Sequence, residues 1–91
     1  MMFYLVSYDI PDDKKRTRMA KTLRDFGERV QLSVFECILD DILFKRMISR
    51  VSKIISEDDS VRVYGLCAKC QEAVKVFGRG MVTKDENVFI L

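Results

Sequence analysis

Two kinds of apolar pattern alternate along the chain, and the alternation predicts its elements. Phe3-Tyr4-Leu5-Val6-Ser7-Tyr8 is aromatic, β-branched and almost wholly apolar, the pattern of a buried strand. Asp9 ends it. Pro11 cannot donate to a ladder, but its fixed φ suits the first turn of a helix. Met19, Ala20, Leu23 and Phe26 then recur at helical spacing. Lys14, Arg18, Lys21 and Asp25 lie on another face, and Gly27 is the expected stop. From Arg29 to Leu39 the period changes to two. Val30, Leu32, Val34, Glu36 and Ile38 face one way; Gln31, Ser33, Phe35, Cys37 and Leu39 face the other. The segment is longer than the usual strand of about five or six residues. No Gly, Pro or Asn marks a turn in it, so the pattern leaves open one long strand or two short strands folded on each other.

Asp40 is a good N-cap for a second helix reaching about Ile55. Leu43, Met47, Val51, Ile54 and Ile55 form its core stripe, and Arg46, Arg50 and Lys53 its outer face. Ser60 to Cys67 reads as a strand in which Val61 and Val63 alternate with Arg62 and Tyr64. Ala68 to Gln71 reads as a turn, and Val74 to Phe77 as a further strand that Gly78-Arg79-Gly80 breaks. Val88 to Leu91 is an apolar tail. The order predicts an α+β domain, a ferredoxin-like βαββαβ sandwich with an extra C-terminal strand. In it, two amphipathic helices cover one face of a four-stranded sheet. The other face has no helix of its own, yet its residues look apolar or aromatic, which predicts a partner sheet. The tail is expected to pair with an exposed edge, on this chain or on a second copy. The expected division is a core over 1–78 and a C-terminal strand segment over 79–91.

Composition narrows the class. Ninety-one residues amount to one domain, and 48% hydrophobic with 33% charged residues is neither a disordered nor a membrane composition. No uncharged run approaches the roughly 20 residues of a membrane-spanning helix. No basic stretch precedes the apolar start, and Asp9 follows it, so no signal peptide is expected; the expected location is cytoplasmic, away from any membrane. Histidine is absent, which excludes Ser-His-Asp and Cys-His nucleophiles and zinc sites built on imidazole. The three cysteines, Cys37, Cys67 and Cys70, do not make a disulfide framework. Cys67-Ala-Lys-Cys70 has CxxC spacing without a second pair, so buried or half-buried free thiols, dispensable to the fold, are expected, with a metal or redox role as the alternative.

Charge is segregated. The net charge is only +2, but Lys14, Lys15, Arg16, Arg18, Lys21, Arg24 and Arg29 crowd a stretch with two acids, Asp25 and Glu28. The acids gather at Asp12-Asp13, Asp40-Asp41 and Glu57-Asp58-Asp59, places that look like helix starts and a loop. Asp9, at a strand end before a Pro-led helix, suits a structural cap or a hard-metal ligand. Magnesium is often held by one or two carboxylates, with water and phosphate completing its shell. Asp12 and Asp13 are expected to be turned away by the helix, so a strong site needs two copies. Arg16, Arg18 and Arg29 suit bidentate phosphate binding, or a solvated helix face. Carboxylate, magnesium and arginine together handle phosphodiesters without histidine. Exposed aromatics on a sheet could instead stack bases, although no RNP1-like run is present. Gly78-Arg79-Gly80-Met81 reads as a strand-end turn that could bring Arg79 to phosphate.

Tyr8-Asp9-Ile10-Pro11-Asp12-Asp13-Lys14-Lys15-Arg16, then Gly27-Glu28-Arg29-Val30-Gln31-Leu32-Ser33-Val34-Phe35-Glu36-Cys37, then Asp59-Ser60-Val61-Arg62-Val63-Tyr64 with Leu66-Cys67, resemble the CRISPR-associated protein two family. The resemblance runs from residue 2 to about residue 77. It implies a ferredoxin-like fold with two short strands between Arg29 and Leu39, and a homodimer with facing sheets and C-terminal segments that reach the partner. It further implies a magnesium-dependent endonuclease acting on single-stranded RNA or double-stranded DNA, and a complex with the CRISPR-associated integrase that inserts new spacers. Asp9 matches the family's metal aspartate and catalytic position. Tyr8, Arg16, Arg18, Arg29 and Phe35 match its nucleic-acid-binding or supporting residues, with Ser33 in the same motif. Leu32 stands where the family often carries Tyr, so a hydroxyl there is dispensable. The alternative is a non-catalytic dimeric scaffold that holds prespacer DNA and docks the integrase; a small RNA-binding module is a third reading.

Overall fold

The computed structural model describes residues 1–78. Arg79, the Val88–Leu91 tail and the 79–91 segment expected to reach a partner lie outside the described residues. Those described form β1 (Met2–Asp9), α1 (Asp13–Arg24), β2 (Glu28–Gln31), β3 (Val34–Leu39), α2 (Asp41–Ser52), β4 (Ser60–Leu66) and α3 (Ala68–Glu72). The strands make one antiparallel sheet in the order β2-β3-β1-β4, which with this connectivity is the ferredoxin-like arrangement.

Both long helices start on an aspartate. The Asp12 carboxylate accepts from the Lys15 N–H at 2.9 Å and the Asp40 carboxylate from the Leu43 N–H at 2.8 Å, while Asp13 and Asp41 sit in the positive first turns. Pro11 therefore precedes the cap instead of occupying the first turn. α1 stops at Arg24, short of Phe26, because the N–H groups of Asp25 and Phe26 tighten onto Thr22 and Leu23. Gly27 has a reason other than a left-handed cap. A Cβ there would lie 2.2 Å from the Glu36 carbonyl oxygen and 2.5 Å from Cys37 Sγ, so only glycine lets the chain leave α1 against β3.

The alternation along β1 divides the sheet. Tyr4, Val6 and Tyr8 face the helices and join Phe35, Cys37 and Leu39 of β3 in the core. Met19, Ala20 and Leu23 of α1, Phe26 beyond it, and Met47 and Val51 of α2 close over them, with Leu43 and Ile55 at the margin. Tyr4 stacks on Phe44 with ring centroids 4.4 Å apart. Arg50, expected on an outer face, ties the helices together: it donates to Asp25 at 2.8 Å and lies 5.4 Å from the centre of the Phe26 ring.

The Arg29–Leu39 segment is two strands, with a bulge between Arg29 and Gln31 and a reversal at Leu32-Ser33. Two expectations fail further on. Ala68 to Gln71 is not a turn but part of α3, and Val74 to Phe77 is not a strand. The Val74 N–H bonds back to the Gln71 carbonyl at 3.1 Å, and the segment has no neighbouring ladder among the described residues. The open sheet face is less apolar than expected. Leu5, Val34, Ile38, Tyr64 and Leu66 are there, but so are Glu36 and Arg62.

A basic cleft at the end of β1

Three pieces of chain meet where β1 ends. The strand delivers Tyr8 and Asp9, and Ile10 and Pro11 carry the chain into α1. Asp13, Arg16, Thr17, Ala20 and Arg24, spaced at three and four, present one face of that helix. The reversal between β2 and β3 supplies Arg29, Leu32 and Ser33. Together they line a cleft of about 540 Å³.

Much of the polar lining is already engaged. The Leu32 carbonyl accepts from the Tyr8 hydroxyl at 3.2 Å and from Arg29 Nε and Nη2 at 3.1 and 2.6 Å. The Tyr8 N–H donates to the Ser33 carbonyl at 3.1 Å. These bonds hold a reversal that lacks a glycine or proline. Arg16 Nη1 donates to the carbonyls of Ile10 and Pro11 at 2.9 and 2.8 Å, and Arg16 also pairs with Asp13. Arg16 is thus a clasp on the loop that follows Asp9. Asp13, expected to be turned away, lines the cleft as its counter-ion.

Asp9 differs from all of these. It is exposed at the last rung of β1, opposite Ser60, and takes no hydrogen bond or ion pair from the described residues. Arg24 is equally unengaged and lines the same cleft. Arg24 stood in the basic stretch, and its signal was the helical spacing from Arg16 and Thr17.

The cleft brings together Tyr8, Asp9, Arg16, Arg29 and Ser33. It does not include Arg18, which is exposed elsewhere on α1, nor Phe35, which is wholly buried beneath Tyr8 with ring centroids 6.4 Å apart. Phe35 supports the Tyr8 ring and lines no open space.

Just before β4, Asp59 accepts from Lys15 Nζ at 3.0 Å, from the Ser56 N–H at 2.8 Å and from the Ser56 hydroxyl at 3.2 Å. Donation from the Ser56 backbone, then from Lys15, holds its carboxyl below the usual carboxylate range. No group of three or more His, Cys, Asp or Glu side chains suited to a metal occurs among the described residues. The free donor set is one hard carboxylate oxygen pair beside cationic groups. That fits a cation bound through one carboxylate, water and phosphate, and does not fit a closed protein cage.

A ferredoxin-like sheet with two helices on one face, and a lone free carboxylate among arginines at the end of β1, defines a small α+β protein with a basic cleft. The chain belongs to the CRISPR-associated protein Cas2 family, whose profile matches residues 2–74. It is 44% identical over 92 residues to a CRISPR-associated endoribonuclease Cas2 of Synechocystis sp., covering 100% of both chains. Its fold superposes on Streptococcus pyogenes Cas2 with a TM-score of 0.75 at 37% identity, over 85% of this chain and 100% of that one. It also matches a chain of a partial Cas6-RT-Cas1–Cas2 complex with a TM-score of 0.71 at 28% identity, over 84% and 90%. No helix among the described residues is long and apolar enough to cross a membrane.

Proposed function

We propose that this chain is a CRISPR adaptation protein that cleaves phosphodiesters of RNA or DNA with a divalent cation, magnesium, held at Asp9. It works as a homodimer beside the CRISPR integrase. The observation that carries the reading is the free Asp9 carboxylate in a cleft whose other acid, Asp13, is neutralised by Arg16. The endoribonuclease name of the Synechocystis relative and the Cas1–Cas2 complex among the structural neighbours support it.

Each residue then has a task. Asp9 supplies the anionic oxygens for the cation. Arg24 binds and orients a phosphate, since nothing in the described chain competes for its guanidinium. Arg29 keeps the β2–β3 reversal in place and adds positive charge to the rim. When bound, magnesium neutralises charge on the phosphate and activates water. A single carboxylate per protomer is a weak site, so the partner's equivalent carboxylate approaching across the dimer axis completes it. The open sheet face, with Leu5, Val34, Ile38, Tyr64 and Leu66, is the surface for that pairing.

One observation favours a second reading. With one free carboxylate in the cleft and no larger cluster among the described residues, the same arginines would serve a scaffold that grips DNA without cutting it. Purified Asp9→Asn protein, assayed for cleavage with magnesium and with chelator, separates the two when set beside spacer acquisition in cells. The nuclease reading expects loss of cleavage and loss of acquisition together. Intact acquisition makes the scaffold the physiological role, and cleavage that persists in repurified Asp9→Asn protein ends the Asp9 mechanism.

A further inference from the structure

Cys67 and Cys70 lie outside the cleft and outside the core. Cys67 is the last residue before α3, with extended backbone at φ −71° and ψ 168°; Cys70 lies three positions on, inside the helix, and both are exposed. The turn between them is closed by the Gln71 N–H, which donates to the Cys67 carbonyl at 2.9 Å. A first helical turn brings such residues within the roughly 4.4–6.8 Å between Cα atoms that a disulfide spans. The two thiols influence each other: the N–H and the thiol of Cys70, then the Lys69 N–H, favour the thiolate of Cys67.

We propose that Cys67 and Cys70 form a redox-active dithiol that low-molecular-weight disulfides, such as oxidised glutathione, convert to an intramolecular disulfide. The Cys67 thiolate attacks one sulfur of the small disulfide, forming a mixed disulfide and expelling one thiolate. Cys70 loses its proton to solvent and attacks the Cys67 sulfur, forming the internal bond and expelling the second thiolate. Two electrons pass from the protein dithiol to the small disulfide, which leaves as two thiols.

The roles of the two cysteines follow from their contacts. Hydrogen bonds from Cys70 hold Cys67 below the ordinary thiol range, and the same contact holds Cys70 above it, which makes Cys67 the attacking group. Cys37 is a built-in control. Burial, with the charge of Glu36 adding to it, pushes that thiol up to about 11, and it sits sealed in the core. The dithiol is also remote from the cleft. Leu66, beside it, ends the strand that begins with Ser60 opposite Asp9, so the two sites occupy opposite ends of β4. Oxidation sets the covalent state of the exit from the sheet, where α3 packs on β1 and β4.

The test uses the purified full-length chain in a glutathione redox series, read by intact mass and by site-resolved alkylation at neutral pH. The proposal expects loss of two hydrogens within one chain as the series turns oxidising. It expects Cys67 to alkylate at least ~10-fold faster than Cys37 and faster than Cys70. Cys70→Ser should trap a glutathione adduct on Cys67, whereas Cys67→Ser should form no internal disulfide and take up glutathione on Cys70 more slowly. Equal melting temperatures for both variants and wild type would show that the fold is untouched. Absence of an internal disulfide across the series would overturn the proposal. So would equal labelling of Cys67 and Cys70, or stoichiometric zinc that shields both thiols until it is chelated.

Discussion

Two aspartates on neighbouring strand ends have opposite fates. Asp59, before β4, is bound by Lys15 and twice by Ser56, and its side chain is only 2% exposed. Asp9, across the ladder beside Ser60, is exposed and unengaged among the described residues. The first carboxylate is spent on the fold: it ties the start of α1 to the loop that launches β4. The second is left over by the fold, and a leftover charge in a cationic cleft is what a phosphate-handling site needs. Satisfaction by hydrogen bonds, more than charge or position in the chain, separates the structural acid from the free one.

The contrast is sharpened most by Asp9→Asn. Magnesium-dependent cleavage should fall on the order of 10²–10³-fold, while the thermal midpoint stays the same or rises. A marked loss of stability would show that Asp9 is structural after all. Gly27→Ala should do the reverse. A methyl group forced against the Glu36 carbonyl should cost about 1–3 kcal/mol, visible by calorimetry, with activity lost only as the folded fraction falls.

A smaller loss of stability is expected for Asp59→Asn, together with a change in its pH dependence. Because folding lowers the Asp59 pKa, its contribution is present above the ordinary carboxylate range and is lost as pH falls through the folded value. Wild type should therefore lose stability on acidification, and the variant should lose less over the same window, as read by thermal melts at stepped pH. The smallest effect is assigned to Arg24→Ala. The salt dependence of nucleic-acid binding should flatten by about one unit if Arg24 grips one phosphate. An unchanged slope would return Arg24 to solvated surface, and the same measurement on Arg18→Ala tests the arginine that lies outside the cleft.

The helices and β1 were legible because their signals are local: Asp40 caps, Asp12-Asp13 marks a helix start, and Met19, Leu23, Met47 and Val51 keep the helical period, although the residue order points to Pro11 and not Asp12 as the entry to α1. The reversal at Leu32-Ser33 was not legible from local pattern, because bonds from Tyr8 and Arg29 hold it where turn residues are lacking. The family resemblance supplied the two-strand reading. Val74 to Phe77 shows the converse error. β-branched and aromatic residues favour a strand, but a strand also needs an edge to join. Asp9 was legible as a candidate from its place at a strand end. The engagement of Arg16 by two carbonyls, and the return of Asp13 to the cleft, depend on how the Ile10-Pro11 loop folds back over α1. Nothing in the residue order announces that path.

β1 is one of the two described strands with a partner along both edges, β3 on one side and β4 on the other; β3, between β2 and β1, is the second. The amides of β1 should be among the last to exchange with solvent deuterium, opening only when the whole sheet opens. Asp9 is the final residue of that strand. The carboxylate therefore rides on a doubly paired strand, which opposes any swing toward a partner by local loop motion. If two such carboxylates must come closer during function, whole protomers have to turn against each other as rigid bodies.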